Sequence, residues 1–164
     1  MLFDSLMTSL PLHPLVVHAV VIFLTVVPLL VLVSLVWRGL RDRLDWLLPV
    51  AALVGAISGI VTKETGEDLE HSLPKTAITT LVHNHTEMGD IAGVIGLVFF
   101  AAVVAWWLTT SKVATAWVEA KMSWVRKGPW PILAIVAVAL VSVVTLVLVV
   151  LAGHSGATAV WTTN

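Results

Sequence analysis

Four long apolar stretches, at about 15–37, 46–62, 81–108 and 132–151, are separated by short polar segments. At about 1.5 Å per residue, the first is long enough to cross roughly 30 Å of hydrocarbon as a helix. The second is short for a crossing, so its polar continuation through Lys63, Glu64, Glu67 and His71 is expected to extend the same helix past the bilayer. On that helix Gly55, Gly59, Thr62 and Gly66 share one face, a groove for a neighbouring backbone or a flat ligand; ordinary helix packing is the commoner meaning of such a strip. Ser72, Leu73 and Pro74 read as the start of the third helix, with Ser72 as its N-cap. Trp106 and Trp107 suit its interfacial end.

In the third loop Val113, Trp117, Ala120 and Trp124 fall on one helical face, and Lys112, Glu119, Arg126 and Lys127 mostly occupy the rest, the pattern of a helix lying on a membrane surface. Gly128 and Pro129 break it, and a turn at Gly153-His154-Ser155-Gly156 is expected to close the fourth span. The reading is an all-α integral membrane four-helix bundle, a single transmembrane domain over 1–164.

Composition agrees: mean hydropathy is +1.01, with 59% apolar and 12% charged residues. The absence of cysteine excludes disulfides, thiolate metal sites, iron–sulfur ligation and covalent c-type haem. A net charge of −1 gives no basic surface for nucleic acid. The first fourteen residues carry Asp4 and no Lys or Arg, so the first apolar run is expected to be retained rather than removed as a signal peptide. Arg38, Arg41 and Arg43 in the first loop, and Lys112, Lys121, Arg126 and Lys127 in the third, are expected to stay cytoplasmic. Both termini and the middle loop then face outward, toward the periplasm or its equivalent. That side carries all six histidines, His13, His18, His71, His83, His85 and His154, and seven acids.

The densest chemistry is Leu81 to Gly96, where titratable groups at a membrane edge are costly unless they have work to do. His85, Met88, Gly89, Ala92 and Gly96 share one helical face, so the imidazole stands over mostly small residues. His83, Glu87 and Asp90 share a neighbouring face, where a nitrogen and two carboxylates could meet one cation. His18 lies roughly 6 Å inside the first span, and His85 and His154 are expected at similar depth. Neutral imidazole serves haem iron, zinc and copper alike. Haem b is favoured by the thin faces at Gly59 and Gly89, with Lys63 or Lys75 near its carboxylates. A divalent transition metal is favoured by the pairs His83 with Glu87, Glu67 with His71 and Glu64 with Asp68, each one turn apart. His13, preceding Pro14, is expected to be extended and to serve at the rim. No nucleophile elbow, phosphate-binding glycine loop or HExxH is present.

The opening Leu12-His13-Pro14 to His18, the Thr65-Gly66-Glu67 to Glu70 segment, His85-Thr86-Glu87, and Gly153-His154-Ser155-Gly156-Ala157 together give a chain that resembles a bacterial membrane-protein family known as domain of unknown function 2231. Ala157 stands where many relatives have a second glycine, and Ala19 where an aromatic often follows. The resemblance implies a four-helix membrane bundle linked to electron transfer and haem, since some relatives are joined to Rieske-type iron–sulfur domains.

The expectation is therefore an inner-membrane b-type haem protein passing electrons near the outer face. His18 and His85 are the preferred axial ligands, with His154 or His13 as substitutes. The alternatives are a Zn, Cu or Fe binding protein using His18, His83, His85, Glu87, His154 and Glu67, and an accessory subunit of a membrane complex. The lipid bilayer is the expected partner of such a surface; a redox partner, a quinone or a second copy are further candidates.

Overall fold

A computed structural model describes residues 12–72 and 80–161, and among these residues there are helices and no strands. The long helices are α1 (Leu12–Val36), α3 (Leu47–Ser72), α4 (Thr80–Thr110) and α6 (Trp130–Trp161); α2 (Arg38–Leu44), α5 (Thr115–Lys121) and a 3₁₀ turn (Ser123–Arg126) belong to the connections. Each of the four long helices is long and apolar enough to cross a membrane.

They run alternately up and down in a closed square. α1 packs on α3, α3 on α4, α4 on α6, and α6 returns to α1, leaving α1 diagonal to α4. Leu24, Val27 and Val31 of α1, Leu48 and Ala52 of α3, Phe99, Val103 and Trp106 of α4, and Val138 and Val149 of α6 form the buried core. The outward faces are equally apolar: Ile22, Leu29, Val94, Leu140, Val147 and Val150 are all exposed. In water such a continuous surface would aggregate, whereas against lipid chains it is the expected exterior.

The small-residue strips of α3 and α4 press against each other. A Cβ on Gly59 would lie 3.4 Å from the Gly93 Cα, and one on Gly96 3.4 Å from the Ala56 Cα. Gly55 receives α1 instead, and a Cβ there would stand 2.9 Å from Leu24 Cδ2. Small residues let backbones approach closely where no hydrophobic effect draws helices together. The Gly59 face is thus occupied by protein, and the groove available to a flat ligand is not along it.

Several boundaries differ from the sequence reading. α1 includes His13, with Pro14 tolerated in the first turn, where its missing N–H would have had no partner. Ser72 ends α3; the helix start at Leu73, Pro74 and Lys75 lies outside the described residues. α6 runs straight through Gly153-His154-Ser155-Gly156 to Trp161 rather than closing there. The third loop is split into α5 and the 3₁₀ turn, and Gly128, at φ 60°, turns the chain into α6. In that loop Ala114, Val118 and Val125 face the protein, and Val113, Trp117, Ala120 and Trp124 are exposed.

The end bearing the basic loops is tied by polar groups. Asp45 accepts from Trp107 Nε1 at 2.6 Å, Ser111 Oγ at 2.6 Å and the Val113 N–H at 3.3 Å. Arg126 donates to Leu108 O (3.0 Å), a carbonyl that the end of α4 leaves without a helix partner, to Ser111 O (2.6 Å) just beyond the helix, and to Thr115 Oγ1. Outside this network, Lys112 Nζ donates to Asp42 at 2.6 Å. That hydrogen bond holds the Asp42 carboxyl below its ordinary 3.8; slight desolvation opposes it, and the charges of Lys112, Arg41 and Arg38 add to it.

Two outcomes follow. Gly93→Ala, whose methyl would meet Gly59 O at an ordinary 3.5 Å, is tolerated, whereas Gly93→Leu forces α3 from α4 and costs about 1–3 kcal/mol, read as a lower thermal midpoint in detergent. Because the Asp42 pKa is depressed, the Lys112 contact contributes above the ordinary carboxylate value and is lost as pH falls through the folded one. Lys112→Gln should lower the midpoint slightly at neutral pH and leave it unchanged from the parent in strong acid.

Candidate functional site

α4 brings His85 against α6, where the absence of a side chain at position 156 makes room for the ring. A Cβ on Gly156 would stand 2.8 Å from His85 Cε1 and 3.2 Å from Nδ1. Ser155 Oγ lies 3.1 Å from His85 Nδ1 and donates its own hydrogen to Ala152 O at 2.9 Å. A hydroxyl has one hydrogen, so when that hydrogen goes to Ala152 the serine accepts from the imidazole. With that arrangement the neutral ring would carry its proton on Nδ1 and its electron pair on Nε2. Ser155 and Gly156 were named in the sequence as parts of a closing turn. Their real role, a hydroxyl and a gap on consecutive positions of a helix, needs α4 alongside to become visible.

The other histidines do not join His85 as expected. Leu24 of α1 touches α4 at Gly96, 3.5 Å from its Cβ position, which sets the heights of the two helices relative to each other. His85 stands about three turns, roughly 16 Å, beyond Gly96, whereas His18 stands only about 9 Å beyond Leu24. The two therefore differ by about 7 Å in height. His18 is also turned about 120° from the Leu24 face and is exposed. His154, two positions from Gly156, is turned to the opposite side of α6 and is exposed, as are His71 and His83. His13 is different. Its place in α1 is about three turns before Leu24 on the same register, matching the height of His85 on the diagonal helix; its side chain lies outside the described residues.

The acidic groups separate into two sets. His83, 63% exposed, lies 3.5 Å from Glu87 through Nε2 and 3.8 Å from Glu70 through Nδ1. Asp90 is drawn away from them to Lys63, 3.6 Å distant, and Lys63 also meets Glu67 at 3.5 Å. The expected cation site of His83, Glu87 and Asp90 is thereby divided between an exposed imidazole pair and a lysine cluster. Among the described residues no group of three His, Cys, Asp or Glu side chains is placed to hold a metal ion.

In sequence and in fold the chain matches no protein-family model, no curated protein and no solved structure. The site must be read from its own geometry.

For a haem, the test is whether a ligand imidazole and thin walls coincide. Along Gly59, Gly93 and Gly96 they do not, because protein fills that face. One turn from His85 they do: a Cβ on Gly89 of α4, or on Gly153 of α6, would meet nothing within 4 Å. Thin helix faces thus lie next to His85.

Nitrogen-15 spectra of the haem-free protein should show His85 protonated at Nδ1 and bare of hydrogen at Nε2. Ser155→Ala should yield a mixture of tautomers, and a parent protein with its hydrogen on Nε2 would contradict the assignment.

Proposed function

We propose that the chain is a membrane b-type haem protein that passes electrons near the face carrying its termini, with His85 of α4 and His13 of α1 as the axial ligands. The observation that carries this reading is the hydrogen-bond chain from His85 Nδ1 through Ser155 to Ala152. Metal-ligating histidines characteristically donate their second ring nitrogen to such a partner, which sets ring orientation and raises ligand basicity. The equal heights of positions 13 and 85 on diagonal helices supply the second half, since both residues would have to reach one bound haem. His18, the partner expected from the sequence, gives way to His13 because position 13 matches the height of His85.

A bound haem would supply one-electron transfer by cycling between ferric and ferrous iron. The chain's own residues do the rest. Ser155 holds the imidazole and its tautomer, Gly156 gives the ring its seat, and Gly89 and Gly153 keep the adjoining helix faces thin. The core of Leu24, Phe99 and Val149 closes the interior below. The basic loops at the opposite end favour a cytoplasmic position for that end, and with it a periplasmic position for the histidine end in a bacterial inner membrane.

Protein purified in detergent from haem-replete cells should show a Soret band that shifts on dithionite reduction. His85→Ala and His13→Ala should each abolish it, and His18→Ala should retain it. Ser155→Ala should weaken haem retention about ten-fold or more. A colourless parent protein would overturn the reading, and loss of the band in His18→Ala with retention in His13→Ala would overturn the pairing.

A further inference from the structure

The end of the bundle opposite the histidines combines a surplus of positive charge with exposed indoles. The connections at 37–46 and 111–130 hold seven Arg and Lys against three acids, although the whole chain is at −1. The same two segments carry Trp37, Trp46, Trp117, Trp124 and Trp130, and all five are exposed. Some of this charge is spent within the protein. Lys112 and Arg41 meet Asp42, and Arg126 is committed to backbone oxygens. Asp45 is taken up by Trp107, Ser111 and Val113. Lys121 and Lys127 are exposed, and neither has an ion-pair partner among the described residues.

Each of these two lysines is placed near an indole. Lys121 lies one turn from Trp117 on the same flank of α5, whereas Glu119 is turned about 200° from Lys121. Val118, between the flanks, is packed against the protein. Lys127 follows the 3₁₀ turn, with its N–H bonded to Trp124 O at 3.1 Å, and Trp124 meets Trp130 edge-on with ring centroids 5.3 Å apart. The Arg126 contacts hold this connection where α4 ends and α6 begins, the level at which the apolar spans stop. Indoles settle at that level of a bilayer, and a lysine beside them can extend its ammonium to the headgroups.

We infer that the third connection binds anionic phospholipid, with Lys121 and Lys127 on the headgroup phosphates and Trp117 and Trp124 against the glycerol and upper chains. Charge complementarity selects the acidic lipid, because a zwitterionic headgroup brings its own cation to a surface that already has unmatched ones. A nucleic acid would satisfy the charge but would set Val113, 67% exposed, against polar groups. A lipid satisfies both the lysines and the apolar side chains.

The full chain in dodecyl maltoside, mixed with equal amounts of phosphatidylglycerol and phosphatidylcholine of identical acyl chains, provides the test, with bound lipids counted by native mass spectrometry. The readout does not involve the histidine end, so it stands apart from the Soret band. Phosphatidylglycerol should be bound over phosphatidylcholine by about ten-fold or more. Lys121→Gln with Lys127→Gln should bring the two lipids to near equality. Arg38→Gln with Arg43→Gln, which removes the same charge from the first connection, should keep most of the preference. Equal binding of the two lipids to the parent would overturn the inference. So would an equal loss in the two double variants, which would mark a general attraction of charge in place of a site. Glycerol 3-phosphate binding as tightly as phosphatidylglycerol would also overturn it, because the indoles would then contribute nothing. Should the lysine variant fail to fold, the lipid pair on the parent and on the arginine variant decides the matter alone.

Discussion

The contact between the backbones of α3 and α4 is the constraint to which the other arrangements answer. In a bilayer the surroundings are as apolar as the helices, so helices gain little by hiding apolar side chains from lipid and must gain by fitting closely. Gly59 against Gly93, and Ala56 against Gly96, provide that fit. Once it is made, Leu24 seats over Gly55 and Gly96, fixing the height of α1 against both helices. The elevation of His85, the reach of Lys63 to Asp90 and the burial of Phe99 and Val103 follow from the same register. Position 13 inherits its height in the same way.

The number of crossings, their alternation and the crowding of histidines toward one end were legible in the chain, because length, hydropathy and loop position are one-dimensional properties. Which way each histidine points was not. A soluble helix announces its inner face by a polar outer one, but α1 and α6 are apolar all round, and inside and outside carry the same residue types. His18 and His154 were thus assigned to a shared pocket by proximity to the same end, and the helical turn of about 100° per residue sends both elsewhere. The extended start assigned to His13 rested on Pro14, yet in the first turn proline removes a donor that has no acceptor to lose.

The glycine strips illustrate the same limit from the other side. They correctly marked α3 and α4 as helices with a close neighbour, but a strip of small residues does not say whether the neighbour is protein or ligand. The structure divides them. Gly55, Gly59, Gly93 and Gly96 meet protein, and Gly89 and Gly153 meet open space. The acids were misjoined for a related reason: spacing along one helix put Asp90 with His83 and Glu87, but Lys63 on the adjacent helix was the stronger partner. Pairings within a helix can be read from spacing; competition from a second helix needs the register between them.

The two ends of the bundle are built for different purposes. At the basic end, Asp45 gathers three donors and Arg126 covers the last carbonyls of α4, so the connection is held by groups with matched partners. At the histidine end the ion pairs of Lys63 and His83 range from 3.5 to 3.8 Å, and glycines replace side chains beside His85. Helix stability alone would favour alanine in place of these glycines, since Gly→Ala within a helix lowers the conformational entropy lost on folding. At Gly156 the imidazole forbids it, since a Cβ would overlap Cε1; at Gly89 and Gly153 nothing forbids it, and yet the space is left. Gly89 lies one turn from His85 on α4 and Gly153 one turn from Gly156 on α6, so the thinned helix faces flank the contact between the imidazole and α6.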